Sequence, residues 1–184
     1  METNVIIILV IIALVAWIIS LYNRLVSLKA NRENAFSDID VQLKLRFDLV
    51  PNIVNTVKGY AKHEKELLKQ ITEARTGFMN AKTIDGKVEA NNELTSALKT
   101  LFAVAEAYPE LKANQNFLQL QSELSDIENK LAAARRYFNS ATKEYNIAVQ
   151  QFPSFIVARI AWFTTYEYFE IDNPAEKDSP KVEF

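Results

Sequence analysis

Residues 117–148 read FLQLQSELSDIENKLAAARRYFNSATKEYNIA, and their apolar side chains recur at alternating spacings of three and four. Because an α-helix has about 3.6 residues per turn, this spacing places the apolar side chains on one face and leaves the intervening charged residues to solvent. The stripe consists of Phe117, Leu120, Leu124, Ile127, Leu131, Ala134, Phe138, Ala141, Tyr145 and Ala148. It predicts a long helix that packs along a partner helix and carries no chemistry of its own.

Two further apolar stripes predict the rest of the helical domain. The shorter runs from Leu94 to Tyr108 and indicates a helix over about 87–107. It ends where a proline follows, because the residue before proline is pushed out of the α region. The longer stripe runs from Phe36 to Phe78 and contains Pro51. We expect one continuous helix from the amino terminus to about residue 81, bent near Pro51, and then a turn over residues 82–86.

An uninterrupted apolar run from Val5 to Leu21 contains no charge, proline or glycine. A helix of that length spans about 26 Å, which is near the lower limit for crossing the hydrocarbon core of a bilayer. Trp17 and Tyr22 can extend it into the headgroup region, where amphipathic rings are favoured. The residues that mark this predicted membrane anchor are Val5, Ile12, Trp17, Leu21 and Tyr22.

The flanks of the apolar run favour an uncleaved anchor over a secretory signal peptide. A signal peptide begins with positive charge and ends in small residues, whereas this run follows Glu2 and leads into the bulky Leu21 and Tyr22. Three Lys or Arg residues follow within residues 24–32 and none precedes the run. Because cytoplasmic flanks carry the excess of positive charge, we predict an inner-membrane protein with its amino terminus outside and the bulk of the chain in the cytoplasm. The absence of cysteine fits a reducing compartment.

The composition of the chain favours an all-α fold and excludes nucleic acid as a partner. There are three glycines and five prolines in 184 residues, so long stretches have no helix breaker. A net charge of −2 with mixed signs offers no basic surface. We predict a transmembrane helix that continues into an antiparallel bundle of three long helices with a short aromatic helix at the carboxyl end. The expected divisions are an extracytoplasmic tip (1–4), the anchor (5–21), the helical domain (22–170) and a disordered polar tail (171–184).

Several long motifs of the chain resemble the LemA family. They are NAFSDIDVQL (34–43), DLVPN (48–52), TVKGY (56–60) and YPELKAN (108–114), and the resemblance covers nearly the whole chain. It implies an amino-terminal membrane helix and an antiparallel helical domain, and it implies no established activity. The polar motif residues, which we interpret as structural or partner-binding, are Asp38, Asp40, Gln42, Arg46, Asp48, Asn52, Tyr60, Tyr108 and Asn114.

The acidic residues among them leave one alternative open, a metal- or carboxylate-dependent enzyme or regulator that uses the region from Asp38 to Asn52. On a helix, however, Asp38 and Asp40 point about 200° apart, and Asp38 and Asp48 lie about 15 Å apart along the axis. The standard nucleotide and hydrolase motifs are absent from the sequence. We therefore predict no catalysis, no metal and no cofactor. Arg46 is expected to pair with an acid on a neighbouring helix, while Asp48 and Asn52 satisfy backbone groups around the proline between them.

The carboxyl-terminal stretch from Phe152 to Phe169 is unusually aromatic, with seven aromatic residues in 18. It can cap the far end of the bundle, lie on a lipid surface or bind a protein partner. A continuous first helix would carry Phe78 about 80 Å from the membrane. That arithmetic favours the distal cap.

The same arithmetic leaves the membrane-proximal apolar stripe without a partner in its own chain. The stripe consists of Leu25, Phe36, Ile39, Leu43 and Val50. Because an apolar stripe in water is unfavourable, we expect neighbouring copies to cover it in a homo-oligomer of side-by-side stalks. The sequence thus predicts a membrane-anchored scaffold or adaptor, with lipid around its first helix and a membrane protease or envelope-stress component as a possible partner.

Overall fold

The chain folds as an all-α protein, as its apolar stripes predict. A computed structural model describes residues 2–60 and 64–169, and every regular element in these ranges is a helix. The helices are α1 (Glu2–Asp48), α2 (Val50–Lys58), α3 (Lys65–Asn80), α4 (Ile84–Ala105), α5 (Pro109–Lys112), α6 (Gln115–Gln150) and α7 (Ser154–Ile160). The tail predicted over 171–184 lies outside the described residues.

The helices form two compact units. Residues 37–134 make up the bundle unit, and residues up to 36 together with those from 135 onward make up the anchor unit. Each unit therefore contains one part of α1 and one part of α6.

In the bundle unit the chain turns back after α2 instead of continuing as one helix. The Phe47 ring stacks on the Phe78 ring with centroids 4.3 Å apart, so the end of α3 lies beside the end of α1. The predicted continuous helix to residue 81 is therefore wrong. Both α2 and α3 keep the same apolar spacing, and periodicity alone does not separate one long helix from two that fold back on each other. Gly59, a poor helix former, ends α2.

The expected bend near Pro51 is an interruption at Leu49. Pro51 lies in the first turn of α2, where the missing N–H would have had no helical partner. Leu49 makes no side-chain capping hydrogen bond, and Asp48 and Asn52 are exposed. The structure thus does not show these two side chains capping the start of α2.

The turn between α3 and α4 is shorter than the sequence suggested. Helix α4 begins at Ile84, and the hydroxyl of Thr83 accepts a hydrogen bond from the Gly86 N–H at 3.2 Å. Asp85 and Gly86 thus form the first turn of α4, where a carboxylate is favoured by the helix dipole. A Cβ at Gly86 would come within 3.3 Å of Ala81 and Thr83, which explains why this position suits glycine.

Helix α6 confirms the stripe that begins at Phe117. Nine of its ten apolar residues are buried, and the tenth, Ala134, is half-buried. In the bundle unit the Phe117 ring meets Phe102 of α4 edge-on at 6.1 Å. In the anchor unit Phe138 meets Phe36 edge-on at 5.8 Å.

The amino-terminal part of α1 is long and apolar enough to cross a membrane. None of the residues in its apolar window is buried, so this segment is not the core helix of a globular domain. The first buried residue of α1 is Leu25, which forms a cluster with Ala148 of α6 and Ala158 of α7. The small alanines let the three helices approach closely around Leu25.

The membrane-proximal stripe is covered within the chain, contrary to the expectation from sequence. Leu25, Ile39, Leu43 and Val50 are buried, and Phe36 is half-buried against Phe138. The expectation failed because it rested on a first helix that continued to residue 81. These five residues therefore give no argument for a homo-oligomer, whose existence stays a prediction.

The aromatic carboxyl-terminal segment lies beside the end of the anchor, not at a distal end of the bundle. The Phe163 ring meets Tyr22 edge-on with centroids 5.8 Å apart. The distal-cap interpretation is therefore wrong, and it failed for the same reason: it assumed a continuous first helix that carries Phe78 far from the membrane.

Candidate membrane-interface site

Arg46 is the polar motif residue that the bundle unit uses most directly. The residue is only 5% exposed, and its guanidinium donates a hydrogen bond to Oδ1 of Asn91 at 2.8 Å and lies 3.0 Å from a carboxylate oxygen of Glu128. Glu128 on α6 is thus the acid expected on a neighbouring helix. A buried guanidinium is stable only when paired and hydrogen-bonded, so Arg46 joins α1 to α4 and α6.

The carboxylates of the motif do not gather into a site. Asp40 forms an ion pair with Lys87 of α4, while Asp38 and Asp48 are exposed. Across the described ranges, no group of three or more His, Cys, Asp or Glu side chains is placed to hold a metal ion. Gln42 is half-buried on α1 and Asn52 is exposed on α2. The geometry gives the carboxylate-enzyme alternative no convergent acid pair on which to act.

Three motif residues tie together the turns of the bundle unit. The side chain of Asn114 accepts a hydrogen bond from the Phe117 N–H at 3.1 Å, which caps α6, and its amide donates to the Tyr60 hydroxyl at 3.0 Å. The Tyr108 hydroxyl donates to the Glu64 carboxylate at 3.3 Å. Loss of solvation and the nearby Glu64 charge both raise the pKa of Tyr108 above its usual value. These residues therefore connect the ends of neighbouring helices through side-chain hydrogen bonds.

The anchor unit contains an exposed apolar surface around α7. Ser154 and Ala158 face inward, and the Ser154 hydroxyl donates to backbone carbonyls at the end of α6. The outer side chains, which we call the α7 apolar face, are Phe152, Phe155, Ile156, Ile160 and Trp162, with exposed fractions of 73, 41, 45, 75 and 90%. Burying a large apolar side chain stabilises by about 1.5–3 kcal/mol. A contiguous face of this kind is typical of an interaction surface.

Helix α7 ends in a conformation that normally selects glycine. The Phe163 N–H donates to the Ala158 carbonyl at 2.9 Å, and Trp162 between them has φ of 59°. This is the hydrogen bond of a Schellman motif, with tryptophan at the left-handed position. A bulky residue there costs on the order of 1–2 kcal/mol relative to its normal backbone conformation. The strained backbone holds the indole outward, almost fully exposed.

An apolar groove connects α7 to the end of the anchor. It is lined by Ile18, Ile19, Tyr22, Val157, Ile160 and Ala161. The first three belong to the last turn of the predicted membrane span and the residue just after it. The α7 apolar face is therefore continuous with apolar side chains of the anchor itself.

The segment after α7 is extended and is held on α6 by two asparagines. The amide of Asn146 donates to the Tyr166 carbonyl at 2.8 Å, and its carbonyl accepts from the Tyr166 N–H at 2.9 Å. Asn139 makes the same pair of bonds with the backbone of Phe169, at 3.0 and 2.8 Å. The Tyr145 hydroxyl donates to the Thr164 carbonyl at 2.9 Å. We call residues 163–169 the strap.

Two arginines pack against aromatic rings along the strap. The Arg32 guanidinium lies 3.9 Å from the Tyr166 ring centroid and 4.7 Å from that of Phe138. The Arg135 guanidinium lies 5.2 Å from the ring centroid of Phe169. Cation–π contacts of this kind strengthen when water is excluded. Burial lowers the pKa of Arg32 and raises the pKa of Tyr145, whose neutral hydroxyl the fold favours.

The sequence interpretation missed the strap and the asparagines that hold it. One signal was present: Asn139 and Asn146 are seven residues apart on α6, and each follows an aromatic residue of the buried stripe. Polar residues at that spacing share one helix face beside the core. What they bind depends on the path of the strap, which has no periodic pattern.

These features define an all-α membrane-associated protein, with an apolar anchor helix and a helical domain that places an aromatic segment beside it. The LemA family model matches residues 35–184. The chain belongs to the LemA family, as its motifs indicated.

Named relatives of the chain agree with this assignment. The magnetosome protein MamQ of Magnetospirillum gryphiswaldense is 26% identical, over 94% of this chain and 73% of the relative. Magnetosome protein MamQ 2 of Paramagnetospirillum magneticum is 24% identical, over 97% of this chain and 74% of its own length. Protein LemA of Metamycoplasma hominis is 30% identical, over 69% of this chain and 58% of that protein. None of these names states an enzymatic activity.

Proposed function

We propose that this protein is an uncleaved single-pass inner-membrane protein that acts as a scaffold or adaptor, without catalysis. The observation that carries this proposal is the use of its polar motif residues. Arg46 links three helices and Asn114 caps α6 while contacting Tyr60. The exposed surface that remains is apolar around the anchor and α7, which suits binding to lipid or protein and not chemistry.

The proposed orientation places the amino terminus outside and the helical units in the cytoplasm, because Lys and Arg lie only on the latter side of the anchor. The chain has no cysteine, so a single introduced thiol reports its own side. Asn4→Cys should react with a membrane-impermeant maleimide in intact cells. Asn92→Cys, at an exposed position of α4, should react only after permeabilisation. The reverse pattern would refute the orientation.

The proposed scaffold is a homo-oligomer. Because the membrane-proximal stripe is covered within the chain, we place the contact between copies at a different surface. Val41 and Leu45 are one turn apart on α1 of the bundle unit and are 54 and 47% exposed. They offer an apolar contact for a second copy or for another membrane protein, such as a protease or an envelope-stress component. Particle masses in membrane-derived nanodiscs should show several copies, and Val41→Ser with Leu45→Ser should lower the number. Leu118→Ser, equally exposed on α6, is the matched control. A single copy in every particle would exclude the oligomer.

A triple variant separates the scaffold from an enzyme. Asp38, Asp40 and Asp48 replaced together by Asn should leave any measured turnover unchanged. Changed assembly or altered co-purification of a partner, with no loss of turnover, agrees with the proposal. A metal-dependent activity that disappears with these carboxylates would overturn it.

A further inference from the structure

The position of α7 fixes what can cover its apolar face. The groove beside α7 is lined on one side by Ile18, Ile19 and Tyr22, and the Phe163 ring packs on Tyr22. Residues at the end of a membrane span lie at the boundary between acyl chains and headgroups. Because α7 packs against them, its exposed side chains lie at that same depth.

The composition of the α7 apolar face matches this boundary. Phe152, Phe155 and Trp162 are aromatic, and Arg159 is the only charged residue between Phe152 and Thr165. Aromatic rings are favoured at the headgroup level, and an arginine at the edge of an apolar face can reach lipid phosphates with its long side chain. Soluble monomers rarely expose a contiguous apolar patch of this kind.

Trp162 provides an independent indication. Its backbone is in the left-handed region at φ 59°, where glycine would be relaxed and tryptophan is strained. Packing within the chain does not explain the indole, because it is 90% exposed. The strap that follows is fastened to α6 through Asn139 and Asn146, so the backbone on the carboxyl side of Trp162 is held within the anchor unit.

We propose that residues 152–162 insert into the interface of the leaflet at which α1 leaves the bilayer, so that the protein contacts the membrane at two points. The partner is the lipid surface itself. This inference rests on the proposed function only in requiring that residues 5–21 span the bilayer. It makes the anchor unit a membrane foot, in which α7 limits how the helix can rotate about its own axis.

The two tryptophans of the chain, Trp17 and Trp162, allow a matched test on the full-length protein. The Trp17→Phe variant reports from α7 and the Trp162→Phe variant reports from the anchor. Each is reconstituted at one copy per nanodisc in phosphatidylcholine and phosphatidylglycerol whose acyl chains carry bromine near the headgroup or near the chain end. Trp162 should lose at least half of its fluorescence with shallow bromine and less with deep bromine. Ile160→Asp should reduce that quenching at least twofold, whereas Leu118→Asp, in the bundle unit, should not change it.

The outcomes separate this inference from the proposed function. Quenching of Trp17 but not of Trp162 refutes the membrane foot and leaves the anchor intact. If neither tryptophan is quenched, the anchor is not in the bilayer and both proposals fail. Nanodiscs with several copies are measured in parallel, and loss of Trp162 quenching in them would assign the α7 apolar face to a second copy of the chain in the assembled protein and overturn the proposal.

Discussion

The bundle unit and the anchor unit of this protein are held together by different kinds of contact. In the bundle unit helices meet helices through side chains on both sides, as in the stack of Phe47 on Phe78 and the buried Arg46 between Asn91 and Glu128. In the anchor unit α6 holds the strap largely by hydrogen bonds to the strap backbone. The side-chain amides of Asn139 and Asn146 each make a pair of these bonds.

This difference separates two roles. A bundle with interdigitated side chains is rigid and specific, and every exchange of a core residue affects its stability. Hydrogen bonds to a backbone depend little on the side chains of the segment they hold, so the strap stays in place while the α7 apolar face and the strained Trp162 before it remain exposed. We expect a substitution in one unit to lower the stability of that unit and to leave the protection of the other unit unchanged.

Phe47→Ala should have the largest effect. It removes a fully buried ring that stacks at 4.3 Å on Phe78, and such truncations cost about 3–5 kcal/mol. The free energy of unfolding of the detergent-solubilised chain, measured in urea, should fall by that amount. Hydrogen exchange followed by mass spectrometry should show lost protection across residues 37–58 and 64–134, with the strap still protected.

Leu118→Ala is the control for this prediction, since Leu118 is half-exposed in the same unit and its truncation should change stability by no more than about 0.5 kcal/mol. Equal loss of protection in both units after Phe47→Ala would show that they unfold as one.

Arg46→Ala should cost about 2–4 kcal/mol, because it leaves the buried Asn91 amide without its partner and removes one side of an ion pair. The value is reduced from that of a fully buried pair because Glu128 is partly exposed. Urea unfolding measures the loss, and Lys130→Ala, an exposed cation on α6, is the matched control. Arg46→Met tests the origin of the effect: if packing alone matters, it restores most of the stability.

The contact between Phe47 and Phe78 shows why the sequence predicted one part of the fold and not another. The stripe of α6 needs only its own spacing to be recognised, and its residues from Phe117 to Ala148 are almost all buried as expected. The fold-back of α3 on α1 depends on the end of α2 at Gly59, and no local pattern distinguishes it from a continuing helix. Because the predicted helix continued to residue 81, the prediction placed the aromatic segment far from the membrane and left Leu25 without a partner.

The candidate site was less predictable than the fold for a related reason. The anchor and the aromatic character of the end of the chain are visible in composition, and lipid contact was one of the open interpretations. That the two lie together depends on the Phe163–Tyr22 contact, between residues 141 positions apart. The roles of Asn139, Asn146 and the left-handed Trp162 depend on the path of the backbone, which no local sequence pattern reveals.

Asn146→Ala should release the strap at a cost of about 1–3 kcal/mol, because it removes both hydrogen bonds to the Tyr166 backbone from a buried position. Hydrogen exchange at Tyr166 should rise while residues 37–58 and 64–134 keep their protection. Asn129→Ala, at an exposed position of α6, should change neither. Asn146→Asp should also loosen the strap, since its carboxylate still accepts from the N–H but repels the carbonyl. If hydrogen exchange at Tyr166 stays unchanged in both variants, Asn146 does not hold the strap.

Tyr145→Phe should have the smallest effect and should depend on pH. At neutral pH it removes the hydrogen bond to the Thr164 carbonyl, which costs about 0.5–1.5 kcal/mol. Burial raises the pKa of Tyr145 in the folded chain, so the fold favours the neutral phenol. That stabilisation is fully present below the unfolded-state pKa of about 10 and is lost as the pH rises through the higher folded pKa. The stability difference between the original chain and Tyr145→Phe, measured by urea unfolding, should therefore shrink and then reverse in alkali. Tyr168→Phe removes the hydroxyl of an exposed tyrosine in the strap and serves as the control at neutral pH. A difference that stays constant with pH would show that Tyr145 does not bind the strap as a neutral donor.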